Sequence, residues 1–221
     1  MRLRRKTLIG IGVTIVSLIA VLYVTSRTIL LSSFAELEEQ NTRQNVDRVV
    51  SALSSELTTL NVFTSDWAAW DDTYAFIEDA NPDYIESNLV DETFIGAKLN
   101  LMLFINSSGE LVFGKAMDLQ NETEISVPQS LLELLSENDL LWRHPETNSS
   151  VNGIVLLPED PMLIASRPII TSEKKGPIRG ALIMGRYFTS EEINRLAEIT
   201  HLSLTARRFD DSQMPPDFQG A

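Results

Sequence analysis

The chain has 221 residues, 43% of them hydrophobic, enough for one ordinary domain core plus an additional apolar element. Its 31 acidic against 18 basic side chains give a net charge of −13, which argues against nucleic acid and anionic lipid headgroups as partners. The absence of cysteine excludes disulfides, thiol catalysis and thiolate metal sites, and leaves the redox compartment open.

The additional element comes first. After the basic run Arg2, Arg4, Arg5 and Lys6, the stretch from Thr7 to Ser26 carries no charge. As a helix those residues rise about 30 Å, one hydrocarbon thickness, so residues 7–26 read as a transmembrane helix. A cleaved signal peptide is the alternative, against which stand the length of the apolar run and the lack of a small-x-small cleavage site. Basic side chains on one flank and Glu36, Glu38 and Glu39 on the other keep residues 1–6 cytoplasmic by the positive-inside rule. Everything beyond is then extracytoplasmic. That outer part has 13 basic against 31 acidic side chains after Leu31, a net charge near −18.

From Ser32 to Ala80 there is neither Gly nor Pro, and Val46, Val50, Leu53, Leu57, Leu60, Thr64, Trp67, Asp71 and Tyr74 follow spacings of four and three. One helix of roughly 45 residues, about 65 Å, is expected to leave the membrane directly. Its first part, "SSFAELEEQNTRQNVDR", has only a thin apolar stripe, which implies a coiled-coil partner or a docked neighbour. Asn81-Pro82 ends the pattern and a loop-rich connection follows. In "KLNLMLFINSSGELVFGKAM" the period changes to two, and Ser107-Ser108-Gly109 turns one strand into the next. A short helix is expected at Gln129–Ser136, strands at Asn152–Leu157, Met162–Thr171 and Ile178–Tyr187, and a turn at Lys174–Pro177. Ser190 reads as the N-cap of "SEEINRLAEI", and a last strand at Leu202–Arg208 leads into a Pro-rich tail, residues 210–221. The fold class is α+β: a long helix covering one face of an antiparallel sheet.

The densest functional signal is "SDWAAWDDTYAF". On a continuous helix Trp67, Trp70, Asp71 and Tyr74 share one face, with Asp66 four residues before Trp70. Two readings stand. The aromatic rings fill a core while Asp71 bonds a nearby backbone N–H or hydroxyl, or they wall a pocket in which an Asp holds a cationic or hydroxylated ligand. Arg167, Arg179 and Arg186, in or beside the later strands, could serve a carboxylate or phosphate ligand or stand on the solvent face. Catalysis finds no support. His144 and His201 are the only histidines and lack metal-ligand spacing, the paired acids read as solvated faces, and no nucleophile motif occurs. No cofactor and no metal are expected.

The chain resembles the type-four CHASE domain, an extracytoplasmic sensory module of prokaryotic receptors, with a sheet similar to the Cache/PAS-like class. The resemblance rests on Asp66, Trp67, Trp70, Asp71 and Tyr74, on "LFINSSGELVFG", and on "RPII" with "GPIRGALIMGR". It spans Phe34 to Arg208 and implies a sensory domain over residues 32–209 in the bacterial inner membrane. It further implies a small-molecule ligand or periplasmic partner and a cytoplasmic output: a histidine kinase of a two-component system, or a cyclic-di-GMP cyclase or phosphodiesterase. A homodimer through the long helix is expected. Because no second span or output domain precedes Ala221, the chain is expected to be a piece of a longer receptor; an anchored binding or scaffold module without output is the alternative.

Overall fold

A computed structural model describes residues 2–205, apart from the side chains of residues 2–9, 28–33 and 35. The Pro-rich tail and the end of the expected last strand lie outside the described residues. The chain divides into two units, residues 1–50 and 51–221. The first is wholly helical where described. Its window Gly10–Arg27 has a mean hydropathy of 1.7 and no buried residue, and is long and apolar enough to cross a membrane.

Helix α1, Arg2–Ala68, ends in the second unit, where Leu60, Thr64 and Ala68, spaced four apart, are buried. Three short helices follow, α2 (Asp71–Asp79), α3 (Pro82–Asn88) and α4 (Asp91–Ala97), then β1 (Leu101–Asn106), β2 (Leu111–Asp118) and β3 (Thr123–Ile125). Helix α5 (Gln129–Glu137) and a 3-10 turn at Asp139–Leu141 lead to β4 (Val151–Leu156), β5 (Pro161–Ile169), β6 (Gly180–Tyr187) and helix α6 (Ser190–Thr200). The six strands form one antiparallel sheet in the order β3-β2-β1-β6-β5-β4, so the first and last strands meet at its centre. The β1–β2 turn works because Gly109 takes φ 85 and Asn106 Oδ1 accepts the N–H groups of Ser108 at 2.9 Å and Glu110 at 3.0 Å.

The sheet is covered on both faces, whereas the sequence led us to expect one. On the first face Phe76, Tyr84, Leu89 and Phe94 of the helices meet Met102, Phe104, Leu163, Leu182 and Met184. On the second, Leu131, Leu135 and Leu141 meet Leu101, Leu103, Ile105, Ile164 and Ile183. Two-sided burial explains the unbroken apolar run Leu101–Ile105, all at most 2% exposed. Each such side chain stabilises the fold by about 1.5–3 kcal/mol.

Four local expectations are corrected. The long helix does not run to Ala80; it stops at Ala68, and Trp70 is extended at φ −119, ψ 133 before α2 starts. No Gly or Pro marks this break. It is made by tertiary contacts described below, and by Asp71 and Asp72 favouring a new helix N-terminus. The expected loop between Asn81 and Lys98 is largely helical, because Asn81 caps the Asp83 N–H at 2.9 Å and Pro82 opens α3. Thr189, not Ser190, occupies the N-cap of α6. Residues 202–205 form no strand, and β3 was not anticipated.

Candidate functional site

The helix break separates the motif residues that a continuous helix would have put on one face. Asp66 is exposed on α1, with no polar partner among the described residues. Trp67 is half-buried against the first core cluster, 6.0 Å from the Phe63 ring and 6.1 Å, edge to face, from Trp70. Trp70 remains 37% exposed and lies 6.1 Å from the Tyr84 ring. Asp71 turns to the β5–β6 turn: its Oδ1 accepts the Ser172 N–H at 2.9 Å, while its own N–H donates to Ser172 Oγ at 3.2 Å. This reciprocal pair fixes the start of α2 against a segment 101 residues away.

Tyr74 and Arg179 form the second tie. The Arg179 guanidinium sits 3.8 Å over the Tyr74 ring, donates to the Tyr74 carbonyl at 2.8 Å and pairs with Glu78 at 2.9 Å. The Tyr74 hydroxyl donates to the Pro177 carbonyl at 3.0 Å. Arg167 bridges the Ser65 hydroxyl on α1, at 2.9 Å, and the Ser149 carbonyl, at 3.2 Å; burial lowers its pKa. Arg186 donates to the Lys98 and Ala97 carbonyls at 2.7 and 3.2 Å and to Glu56 on α1 at 3.2 Å. Arg195 shares Glu56 at 2.9 Å and also pairs with Glu192 at 2.6 Å. The hydrogen bond from Arg195, followed by the neighbouring positive charges, holds the Glu56 carboxyl below its ordinary value despite burial.

Two cavities bear on ligand binding. One, of about 420 Å³, lies between α2 and α3; Trp70, Phe76 and Tyr84 give it an aromatic side, and Asp72, Asp79 and Asp83 line it without any Lys or Arg. The Tyr84 hydroxyl bonds Thr73 Oγ1 at 2.7 Å, and burial pushes its pKa up to about 12, so it stays neutral. The other, of about 710 Å³, lies at one end of the sheet and includes Arg186. Of the eight sequence candidates, then, Trp70 lines the first cavity and Arg186 the second. Trp67, Asp71, Tyr74, Arg167 and Arg179 join elements together instead.

Sequence reasoning missed Asp72, Tyr84, Glu56 and His144. The first two lie within or just beyond the quoted motif, yet their facing the cavity depends on the break at Trp70. His144 was set aside as a metal ligand; it is buried, with Nε2 2.9 Å from Ser166 Oγ. The Ser166 hydroxyl donates to the Leu141 carbonyl, so the Nε2–H donates to Ser166 Oγ and Nδ1 is left without a partner.

These features fall within one family. The CHASE4 domain matches residues 52–207, and the chain belongs to that sensory family. It is 31% identical over 204 residues to the methanogenesis regulatory histidine kinase FilI of Methanothrix harundinacea (strain 6Ac), an alignment covering 92% of this chain and 23% of that protein. The chain thus spans less than a quarter of that curated relative's length. Its fold is similar to the extracellular domain of the candidate histidine kinase vpHK1S-Z8, with TM-score 0.50, 12% identity, and coverage of 72% of this chain and 59% of that one. A domain of a sensory box/GGDEF family protein from Vibrio parahaemolyticus aligns with TM-score 0.49, 12% identity, and coverage of 69% and 61%.

Proposed function

We propose that the chain is the extracytoplasmic ligand-sensing input region of a transmembrane receptor, held in the inner membrane by residues 7–26 with its N-terminus in the cytoplasm. The CHASE4 match, which begins after the apolar segment and fills residues 52–207, carries this reading. The name of the relative FilI supports a histidine kinase as output. The aromatic, acidic cavity beside Trp70 is the sensing pocket, and its lining suits a small cationic or hydroxylated molecule placed between Trp70 and Asp72. A homodimer through α1 is supported by Phe34, Leu37, Val46 and Val50, each more than half exposed in the first unit.

Orientation is tested by exploiting the absence of native cysteine. Asp66→Cys should react in intact cells with a membrane-impermeant maleimide, and Arg2→Cys only after lysis. The reverse pattern refutes the orientation. Transmission is tested in a chimera carrying residues 1–221, a second span and a histidine kinase. Inserting two residues after Gln40 rotates one section of α1 by about 200°. Basal kinase output should change at least severalfold; unchanged output refutes signalling through α1.

A further inference from the structure

The larger cavity lies apart from the motif and is lined by charged groups of both signs. Successive residues of a strand point to opposite faces of a sheet. At the end of β6, Arg186 points to the face of α1, where it meets Glu56 and the Lys98 and Ala97 carbonyls. Tyr187 belongs to the other face, packed against the second core cluster. Glu159 lies on that side too, its carboxylate accepting the Ser130 hydroxyl of α5 at 2.9 Å, and Asp160 follows it in the chain. The cavity wraps this end of the sheet: Lys98 and Arg186 line it together with five carboxylates, Glu159 and Asp160 among them, and Ile95 and Leu119 add apolar surface. Among the described residues neither the Lys98 ammonium nor the Asp160 carboxylate makes a hydrogen bond or salt bridge.

We propose that this cavity of about 710 Å³ is a second small-molecule site that takes a zwitterion, its carboxylate toward Lys98 and Arg186 and its ammonium toward Asp160 and Glu159. A plain anion would meet the five carboxylates and a diamine the two cations; an ammonium and a carboxylate on a short methylene chain satisfy both. The occupant is felt on α1. Arg186 and Glu192, both lining residues, are joined to Glu56 directly and through Arg195, so a ligand drawing on either changes the grip on the helix.

The test is calorimetric titration of the 221-residue chain in phosphatidylcholine nanodiscs with glycine, β-alanine, γ-aminobutyrate and 5-aminovalerate. Putrescine and butyrate serve as the dication and anion of matching length. At least one of the four amino acids should bind, with putrescine and butyrate each weaker by about tenfold or more. Lys98→Gln and Asp160→Asn alter exposed side chains, so the fold is retained, and each should weaken that amino acid by about tenfold. Trp70→Ala, in the other cavity, should leave binding unchanged, which separates failure of this site from failure of the motif pocket. No binding by any of the four, putrescine binding as tightly, or an affinity indifferent to either charge substitution overturns the proposal.

Discussion

Arg179 is the most heavily used side chain near the motif, and removing it should loosen α2 from β6. Its hydrogen bond to the Tyr74 carbonyl is charge-assisted at 2.8 Å and contributes about 1.5–3 kcal/mol. Stacking on the Tyr74 ring at 3.8 Å adds about 0.5–2 kcal/mol. Glu78 is 60% exposed, so that ion pair adds no more than about 1 kcal/mol. Because the three share one guanidinium they do not simply add, and Arg179→Ala should cost about 3 kcal/mol. For a domain of this size that lowers the melting temperature by about 6–12 °C. Arg179→Lys keeps the charge but loses the planar stack and the fork, and should recover about half. The assay is thermal unfolding of the detergent-solubilised chain, with a double-mutant cycle against Tyr74→Leu. A coupling energy near zero, or an Arg179→Ala loss below about 0.5 kcal/mol, would refute the clamp.

Stability should fall as pH drops, through His144. Burial, and then the charge of Arg167, lower its pKa from 6.5 to about 4. The unfolded chain therefore takes up a proton that the native one refuses. Stability is full above about pH 6.5 and declines by about 3 kcal/mol on the way down to pH 4. Urea midpoints between pH 7.5 and 4.5 should show this slope, and His144→Gln, which keeps a donor for Ser166, should flatten it; an equal slope in the variant would sink the assignment. Glu56→Gln should cost about 2–4 kcal/mol, since it leaves Arg186, 13% exposed, without its carboxylate. With its pKa lowered from the ordinary 4.5 in the native state, Glu56 contributes stability that is full above that value and is lost as acid protonates it, so the penalty should shrink as the pH falls below 4.5. A penalty that stays constant with pH, by the same unfolding measurement, contradicts the network.

What the sequence revealed depended on how local the cause was. The hairpin at Ser107–Gly109, helix α5 and strands β4 to β6 carry their own periodicity and turn residues, and they fold where that periodicity places them. The break at Ala69-Trp70 has no local cause. It is written at Ser172, whose backbone N–H and hydroxyl engage Asp71. Asn81-Pro82 was read as a stop, yet the same pair starts α3, because a capping amide followed by proline serves a new helix as well as a loop. Of the aromatic residues in 65–76, Trp67 and Tyr74 tie elements together, while Trp70 and Phe76 line a cavity. Which aspartate lines it followed from the break: an unbroken helix would align Asp71 with Trp67, whereas the actual backbone gives Asp71 to Ser172 and Asp72 to the cavity. The strand arginines stood out as charged groups, but Glu56 lies 130 residues from Arg186 and nothing in the local pattern pairs them.

The ending of α1 at Ala68 also decides how the helix can be pulled. The aromatic cavity is walled by α2 and α3, and its Trp70 meets α1 near the tip, edge to face with Trp67. Glu56 holds the same helix twelve residues lower, about 18 Å along the axis. In the proposed receptor α1 would thus be one lever with two handles at different heights, and a push at the tip would act with a different moment from a release at the lower grip.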